Sequence, residues 1–166
     1  MEVEYLNKIT IFTPTYNRAH TLKRLYESIK VQKYPDFEWI IIDDGSSDGT
    51  NELVKSFIDE NVIKIKYFFQ ENSGKHIAIN KGIEEASGNL FFMVDSDDYI
   101  TPDALNIIDK WEETIDGEKY IGIAGLKIFE NKKIIGSTFK DSIEFVDTTS
   151  LEKRKYNISG DKAEVV

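Results

Sequence analysis

The sequence predicts an α/β fold in which a mostly parallel central sheet is flanked by helices. Short apolar runs alternate along the chain with segments whose apolar residues recur at helical spacing. Several of these runs are apolar at every position, which is typical of parallel strands covered by helices on both faces. The 166 residues are also enough for one domain with a substantial core, so the fold needs neither disulfides nor a structural metal.

Four strands are predicted for this sheet. The first, residues 9–12, is β-branched and aromatic and ends at Thr13-Pro14. The second, residues 39–42, is apolar on both faces. Apolar and polar side chains alternate in residues 63–69 well enough to predict a third strand. The apolar residues 90–94 form a fourth strand that leads directly into an acidic segment.

Helices are predicted between the strands and after the last of them. Thr21 is the candidate N-cap of the first helix, and Pro102 opens the helix that follows the fourth strand. Residues 76–86 form a further helix that ends near Ser87-Gly88. The apolar positions that define the other helices are Leu22, Leu25, Tyr26 and Ile29, then Leu53, Val54, Phe57 and Ile58, and finally Leu105, Ile107, Ile108 and Trp111.

The composition excludes several classes of protein. The chain has no cysteine, so it is not a disulfide scaffold, and 21 basic against 30 acidic residues give a formal net charge of −9. That charge repels phosphates, so nonspecific nucleic-acid binding is not expected. No apolar run is long enough for a transmembrane helix. Residues 1–5 contain acidic side chains, whereas the start of a signal peptide contains basic ones. The expected location is the cytoplasm, with the inner face of the cell membrane as the alternative.

Three polar loops are predicted to lie together at one edge of the sheet. Residues 13–18, 43–48 and 95–98 each follow a buried strand. Ligands of open α/β sheets bind at the carboxyl ends of the strands. We therefore expect the functional site where these three loops meet.

The acidic loop offers ligands for a divalent cation. Asp95 and Asp97 are alternate residues after a strand, so their side chains can point to one side and converge on one ion. Carboxylates suit Mg²⁺ or Mn²⁺, which proteins typically hold through one or two carboxylates and the phosphates of the substrate. The alternative is a solvated turn in which Asp98 caps the next helix.

The loop after the second strand contains groups that suit a nucleotide. Asp43 or Asp44 can accept a hydrogen bond from a base imide or a ribose hydroxyl. The alternative is a turn in which Ser47 or Asp48 caps the next helix. The loop has neither the Walker spacing nor the glycine spacing of a dinucleotide site.

The remaining segments of this edge add flat surfaces and positive charge. Pro14 and Tyr16 offer apolar surface on which a base can stack, and Arg18 can pair with phosphate, although ordinary turn chemistry is the alternative. Lys75 lies at the start of a predicted helix, where backbone N–H groups bind anions. His76 has no second His or Cys beside it, so a zinc site is not expected.

Taken in order, four motifs resemble the nucleotide-sugar-binding half of family 2 glycosyltransferases, which have the GT-A fold. They are residues 14–18, residues 43–50, residues 72–75, and residues 95–98 followed by Pro102. The resemblance extends from about Lys8 to Asp103. It implies a Rossmann-like GT-A domain that transfers a hexose from a nucleotide-diphosphate donor, usually UDP-linked, with inversion and with Mn²⁺ or Mg²⁺.

The resemblance also implies roles for residues in the first two motifs. Pro14 and Tyr16 would flank the base, and Asp44 would hydrogen-bond it while Asp43 supports the loop. Thr15 and Asn17 belong to the same nucleotide-sugar-binding segment.

The later motifs complete the implied site. Lys75 would approach the diphosphate or the base. Asp95-Ser96-Asp97 matches the D-x-D motif of the family, in which Asp97 would hold the metal and Asp95 the ribose or the metal through water. Ser96, between them, is also implied to bind the nucleotide sugar.

The domain prediction leaves the reaction incomplete. Residues 1–147 are assigned to the donor-binding domain, which includes a C-terminal β-hairpin at 121–135, and residues 148–166 to a tail at the start of a truncated acceptor-side segment. The general base that such a transfer requires is therefore expected outside this chain. Asp161 is a late carboxylate in a loop-like setting, but it is expected to be a solvated residue and not this base. The acceptor, whether glycan, lipid or protein, is left open, and a homodimer of this domain is the expected self-association.

Three rival functions fit parts of the pattern. A non-catalytic module would keep the nucleotide site without transfer. A sugar-phosphate nucleotidyltransferase would need a glycine-rich, basic loop after the first strand, where this chain has residues 14–17. A receiver-type signalling domain would need a different arrangement of its aspartates.

Overall fold

The computed structural model describes residues 7–113, 123–127, 131, 133–135 and 162–166. Strands and helices alternate through the first four strands, as the apolar pattern predicts. The elements are β1 (Asn7–Thr15), α1 (Ala19–Lys30), β2 (Phe37–Asp43), α2 (Thr50–Glu60), β3 (Ile65–Phe69), α3 (Lys75–Glu85), β4 (Gly88–Met93), α4 (Ala104–Glu112), β5 (Ile123–Leu126) and β6 (Lys162–Val165).

Four strands form an all-parallel sheet in the order β3-β2-β1-β4. The chain builds the sheet outward from β1 to β3 and then returns to place β4 on the other side of β1. Such a reversal of strand order opens a crevice at the carboxyl ends, here between β1 and β4. Val165 pairs antiparallel with Phe92 on the outer side of β4. The predicted α/β class with a mostly parallel sheet flanked by helices is confirmed.

An aromatic cluster packs one face of the sheet against α1 and α2. Tyr26 of α1 stacks on Phe57 of α2 with 4.0 Å between ring centroids. Trp39 of β2 lies 6.3 Å from the Tyr26 ring, and its Nε1–H donates to Thr13 Oγ1 at 3.0 Å. Because Trp39 is fully buried, this bond satisfies a donor that water does not reach.

The other face of the sheet is covered by α3. Phe12, Ile40 and Ile42 form a buried cluster with Ala78 of α3. These positions alternate along β1 and β2 with those that face α1 and α2, as the two-residue period of a strand requires. Gly82 allows α3 to approach closely, because a Cβ atom there would lie 2.2 Å from Phe12 Cε2.

The first strand is longer than predicted and passes through Pro14 to Thr15. Backbone groups of a strand point alternately to its two neighbours, and Phe12 C=O accepts the Val94 N–H at 2.9 Å. Pro14, two residues further, faces the same neighbour at a level where β4 has already ended at Met93. The proline therefore removes no hydrogen bond from the ladder, which is the condition for proline in a strand.

The first helix begins earlier than predicted, so Thr21 as its N-cap is wrong. The helix begins at Ala19, and Thr21 Oγ1 instead donates to Arg18 O at 3.2 Å. The Ala19 N–H donates to the Asp48 carboxylate at 3.0 Å, which lies in another loop. A distant carboxylate thus serves the helix terminus that a local cap was expected to serve. After the fourth strand, α4 begins at Ala104, two residues after Pro102, which was predicted to open it.

The chain divides into two compact units. The first comprises Met1–Ile123 together with Val165–Val166, and the second comprises Ala124–Glu164. In the second unit, the Ile135 N–H donates to Lys127 O at 2.9 Å. Several residues of the predicted hairpin at 121–135 lie outside the described residues, so the hairpin stays a prediction. Asp161 and most of the predicted tail also lie outside them, and the predicted boundary at residue 147 stays untested.

Within the part of the chain that the structure describes, no helix combines the length and the apolar character needed to cross a bilayer.

Candidate functional site

The loops after β1 and β2 are joined by hydrogen bonds at the carboxyl edge of the sheet. The Asn17 N–H donates to Ser46 Oγ at 2.8 Å, and the Ser47 N–H donates to Asn17 Oδ1 at 2.8 Å. Asn17 has a φ of 52°, a left-handed conformation that asparagine tolerates better than most residues. Two of the three predicted loops therefore form one connected rim, and the Asn17 amide is part of what connects them.

Asp43 is fully buried where β2 ends and holds the turn that follows. Its Oδ1 accepts the Ser46 N–H at 2.8 Å, and its Oδ2 accepts the Tyr67 hydroxyl at 2.6 Å. Burial raises the pKa of Tyr67 above its ordinary value, and donation to the Asp43 carboxylate raises it further. Asp43 thus joins the loop after β2 to the neighbouring strand β3.

Asp44 anchors the segment that leads into α3. Its Oδ1 accepts the Gln70 amide and the Ser73 N–H, both at 2.8 Å, and its Oδ2 accepts the Gly74 N–H at 2.8 Å. Burial alone would raise the pKa of Asp44, but the donors Ser73, Gln70 and Gly74 outweigh it and hold the pKa below its ordinary value. Three of the roughly four acceptor positions of this carboxylate are occupied, which leaves one on Oδ2 for another donor.

Gly45 allows the same segment to pack directly on the loop after β2. Its φ is 88°, a conformation that favours glycine, and a Cβ atom there would lie 2.9 Å from the Asn72 backbone nitrogen. The segment 70–74 is therefore part of the rim, and it includes residues 72–74, which the sequence singles out for their position before a helix.

An ion pair links this segment to the third predicted loop. Lys75, the first residue of α3, places its Nζ 2.6 Å from Asp95 Oδ1, just after β4. Both side chains are partly exposed, so the pair contributes little to stability. The pair brings a lysine and a carboxylate together at the carboxyl edge, where both were predicted.

The acidic loop turns directly after β4. The Asp98 N–H donates to Asp95 O at 3.0 Å, which closes the turn. Ser96 is buried, whereas the Asp97 side chain is exposed and its carboxylate makes no hydrogen bond or ion pair with the described residues. Carboxylate oxygens of this kind fit the donor set of Mg²⁺ or Mn²⁺, which needs few protein ligands when substrate phosphates supply the rest. Among the residues that the structure describes, no three acidic, His or Cys side chains converge as a complete metal cage.

The segment at the end of β1 differs in accessibility along its length. Tyr16 is 49% exposed, while Pro14 is buried, so Tyr16 is the ring of the two that solvent reaches. Thr15 is 3% exposed, and its Oγ1 finds no hydrogen-bond partner among the described residues. A buried hydroxyl without a partner at the edge of a crevice is available to a ligand.

Asp48 has a role that the sequence predicts only in part. Its Oδ1 accepts the Thr50 N–H at 3.2 Å and the Thr50 hydroxyl at 2.6 Å at the start of α2, as a capping residue would. Its Oδ2 accepts the Ala19 N–H at the start of α1, a contact for which the sequence contains no signal. Burial would raise the pKa of Asp48, but the Thr50 hydroxyl and the Ala19 N–H hold it below its ordinary value.

Tyr67 and Gln70 were not identified from the sequence as residues of this edge. The one signal that points to them is their position in and directly after a strand that ends at the edge of the site. Their partners, Asp43 and Asp44, lie more than 20 residues away in the chain, so local spacing does not show the contact.

Comparison with known proteins identifies a family and several relatives. Residues 10–118 match the family described as glycosyl transferase family 2. The glycosyltransferase GlyA of Streptococcus pneumoniae is 38% identical over 104 residues, which cover 63% of this chain and 15% of GlyA. The residues 10–118 matched by the family include the four motifs of the rim.

Solved structures also resemble the chain. TarS 1–349 of S. aureus in complex with UDP-GlcNAc has a TM-score of 0.66 and 26% identity, covering 81% of this chain and 38% of TarS. The mannosyltransferase PcManGT of Pyrobaculum calidifontis, in complex with GDP-Man and Mn²⁺, has a TM-score of 0.60 and 28% identity, covering 64% of this chain and 32% of the other. The chain therefore spans well under half the length of these proteins.

Proposed function

The chain belongs to glycosyl transferase family 2, and from that premise we propose that it binds a nucleotide-diphosphate sugar, of the UDP-linked class, together with a divalent metal. The donor's hexose passes with inversion to an acceptor whose class, glycan, lipid or protein, stays open. One observation carries the proposal: a lysine at a helix N-terminus and two carboxylates after β4 share the carboxyl edge where the strand order reverses. A metal-bound diphosphate needs positive and negative groups side by side in this way.

The donors of the two similar structures support the choice of ligand. TarS is seen with UDP-GlcNAc and PcManGT with GDP-Man and Mn²⁺, so both bind nucleotide-diphosphate sugars. At 26% and 28% identity, the likeness supports the class of donor and leaves the base and the sugar to experiment. We take UDP as the first nucleotide to test.

The base is assigned to the loops after β1 and β2. Tyr16 is the exposed ring on which a base stacks, and the buried Pro14 lies two residues earlier in the same segment. Asp44 accepts the imide N–H of the base through its remaining position on Oδ2, while Asp43 holds the loop. Thr15 offers the same ligand its hydroxyl, which has no hydrogen-bond partner among the described residues.

The diphosphate and the metal are assigned to α3 and the acidic loop. Lys75 exchanges its contact with Asp95 for the diphosphate, where the backbone N–H groups of the first turn of α3 add further positive potential. Asp97 holds the metal, and Asp95 holds the ribose or the metal through water. When bound, the metal stabilises the negative charge that grows on the departing nucleoside diphosphate.

The reaction balances as a single displacement. An acceptor hydroxyl oxygen forms the new bond to the anomeric carbon from the side opposite the diphosphate. The bond from that carbon to the diphosphate oxygen breaks, and the nucleoside diphosphate leaves with the electron pair. The hydroxyl proton passes to a general base, which we do not assign to a described residue.

Calorimetry tests donor binding directly. The chain is titrated with UDP, GDP, CDP and dTDP, each with and without Mn²⁺. We expect binding of one diphosphate that depends on Mn²⁺ and is lost in Asp97→Ala but retained in Asp59→Ala, an exposed aspartate on α2. No diphosphate binding by a correctly folded chain would overturn the proposal.

A second measurement separates transfer from binding alone. Release of UDP from a UDP-sugar in the presence of Mn²⁺ reports transfer to an acceptor or to water. Binding that depends on Mn²⁺, without release of UDP on addition of glycan, lipid and protein acceptors, would favour a non-catalytic nucleotide-binding module.

A further inference from the structure

Three polar side chains form a stripe along α1 and hold the segment that follows the acidic loop. Arg24, Ser28 and Gln32 are spaced four residues apart, so they lie on one side of the helix and its C-terminal extension. Arg24 Nη2 donates to Asp97 O at 2.5 Å, and Ser28 Oγ accepts the Ile100 N–H at 3.2 Å. Gln32 Nε2 donates to Thr101 O at 2.7 Å, and Gln32 Oε1 accepts the Leu105 N–H at 3.3 Å.

The helix that carries this stripe is itself fixed in the core. Its apolar side chains, among them Leu25, Tyr26 and Ile29, are fully buried. Burial on that scale holds the helix in place far more strongly than any one hydrogen bond. The stripe therefore connects residues 97–105 to a rigid support.

Arg24 contacts this segment on both sides of Asp98. Its Nη2 donates to the Asp97 carbonyl, and its guanidinium carbon lies 5.1 Å from the centroid of the Tyr99 ring. A planar guanidinium can donate in its plane and stack through its face at the same time, whereas a lysine ammonium offers a single point charge. These two contacts fix the peptide unit of Asp97. They therefore also fix the Cα atom from which the Asp97 side chain extends.

We propose that Arg24 is a positioning residue for Asp97 and so for the metal-bound diphosphate. The inference rests on the proposed function, because it takes Asp97 as a metal ligand. A carboxylate on a mobile loop must be ordered when the metal binds, and that cost weakens binding. Arg24 removes much of this cost before the metal arrives, with Ser28 and Gln32 extending the support toward α4.

The affinity for Mn²⁺ in the presence of saturating UDP is the quantity that this proposal addresses. Electron paramagnetic resonance of free Mn²⁺ measures it without any transfer reaction. We expect Arg24→Gln to weaken Mn²⁺ binding by roughly 10–100-fold, as residues that orient metal ligands do when replaced. Arg24→Lys keeps the charge without the planar fork, so its Mn²⁺ affinity should fall between those of the wild type and Arg24→Gln.

Lys23→Gln is the matched control, because it removes the same charge from the neighbouring exposed position on α1. It should bind Mn²⁺ as the wild type does. Any residual UDP binding in the absence of metal should be equal in all four proteins, since the contacts assigned to the base lie in other loops. A similar loss in Lys23→Gln and Arg24→Gln would assign the effect to charge and overturn the positioning role.

Hydrogen exchange adds a readout that does not depend on the metal. The Asp98 N–H donates to Asp95 O, so we expect it to exchange slowly in the wild type and faster in Arg24→Gln, with β2 amides unchanged. Unchanged exchange at Asp98 would overturn the proposal even if Mn²⁺ affinity fell. If the wild type bound no Mn²⁺ with UDP, the proposed function would fail at that step, whereas normal wild-type binding with an unaffected Arg24→Gln would refute the positioning role alone.

Discussion

The Lys75 ammonium and the Asp95 carboxylate lie 2.6 Å apart across the carboxyl edge of the sheet. One residue begins α3 and the other follows β4, so the pair joins two segments that are neighbours only in the folded chain. In this pairing each charge is neutralised by the other. A nucleoside diphosphate with its metal can replace both partners, since its phosphates take the lysine and its metal takes the carboxylate.

Replacing Lys75 should therefore affect ligand binding much more than stability. We expect Lys75→Met to weaken UDP binding by roughly tenfold and UMP binding less, because UMP lacks the second phosphate. The midpoint of urea unfolding should hardly change, since the pair is partly exposed. Lys55→Met, on the exposed side of α2, is the control for the loss of charge. An equal effect on UDP and UMP would place Lys75 away from the second phosphate.

Asp44 makes a different contribution, because its carboxylate accepts three hydrogen bonds from the segment 70–74. Asp44→Asn retains one acceptor oxygen and turns an amide group toward backbone donors. We expect a loss of about 1–3 kcal/mol in the free energy of unfolding, measured by urea denaturation. Asp59→Asn, which changes an exposed aspartate, should leave it almost unchanged. If both variants were equally stable, the three hydrogen bonds would contribute nothing net.

The same carboxylate predicts a pH dependence. The pKa of Asp44 is lower in the folded protein than the ordinary value of 3.8, so the unfolded chain binds this proton more tightly. Stability from Asp44 is therefore present above pH 3.8 and is lost as the pH falls from there through the folded pKa. Urea unfolding from pH 6 to pH 2.5 should show a smaller acid-induced loss in Asp44→Asn than in the wild type. Parallel profiles would contradict the assignment.

Much of the fold was predictable because the physics is local. The run at residues 39–42 is apolar at every position, which only a strand covered on both faces can bury, and β2 is buried through to Asp43. The rule that ligand loops follow parallel strands placed Lys75 and Asp95 on one edge, where they are in contact. The family resemblance added the order of the motifs.

What the sequence could not show are contacts between distant segments. Asp48 reaches the start of α1, so the predicted local cap, Thr21, is not needed. Glu38 is fully buried in β2, where its carboxylate accepts bonds from Thr10 and Ser87 and lies 2.9 Å from the Lys66 ammonium. A charged residue beside an apolar run looks like the end of a strand, and nothing local reveals its partners. Packing in three dimensions decides such cases.

Asp48 should stabilise two helices at once, because one carboxylate serves the first N–H groups of α1 and α2. Losing a single cap costs about 0.5–2 kcal/mol, so Asp48→Ala should cost about 2 kcal/mol, near the upper limit for one cap. Urea denaturation followed by circular dichroism measures the loss. Asp48→Asn, which keeps an acceptor oxygen, should recover part of it. A loss of only a few tenths of a kcal/mol in Asp48→Ala would mean that water replaces both contacts at little cost.

Gly82 provides a test of packing in which helix propensity and steric contact have opposite effects. Alanine is favoured over glycine in a helix interior by about 1 kcal/mol, so propensity alone predicts that Gly82→Ala is stabilising. The added Cβ would lie 2.2 Å from Phe12 Cε2, in a ring that is fully buried and stacked on Phe91. Overpacking of this kind typically costs about 1–3 kcal/mol, and the near absence of free space for the ring favours the upper part of that range.

We therefore expect Gly82→Ala to lower the free energy of unfolding. Asn80→Ala, at an exposed position of the same helix, should instead raise it slightly, since it gains propensity without a clash. The double variant Phe12→Leu with Gly82→Ala should be more stable than the sum of the two single changes predicts, because the smaller side chain makes room for the new methyl group. Additive effects in this double-mutant cycle would show that the methyl group added at position 82 does not press on Phe12. They would also show that α3 accommodates alanine by moving away from the sheet.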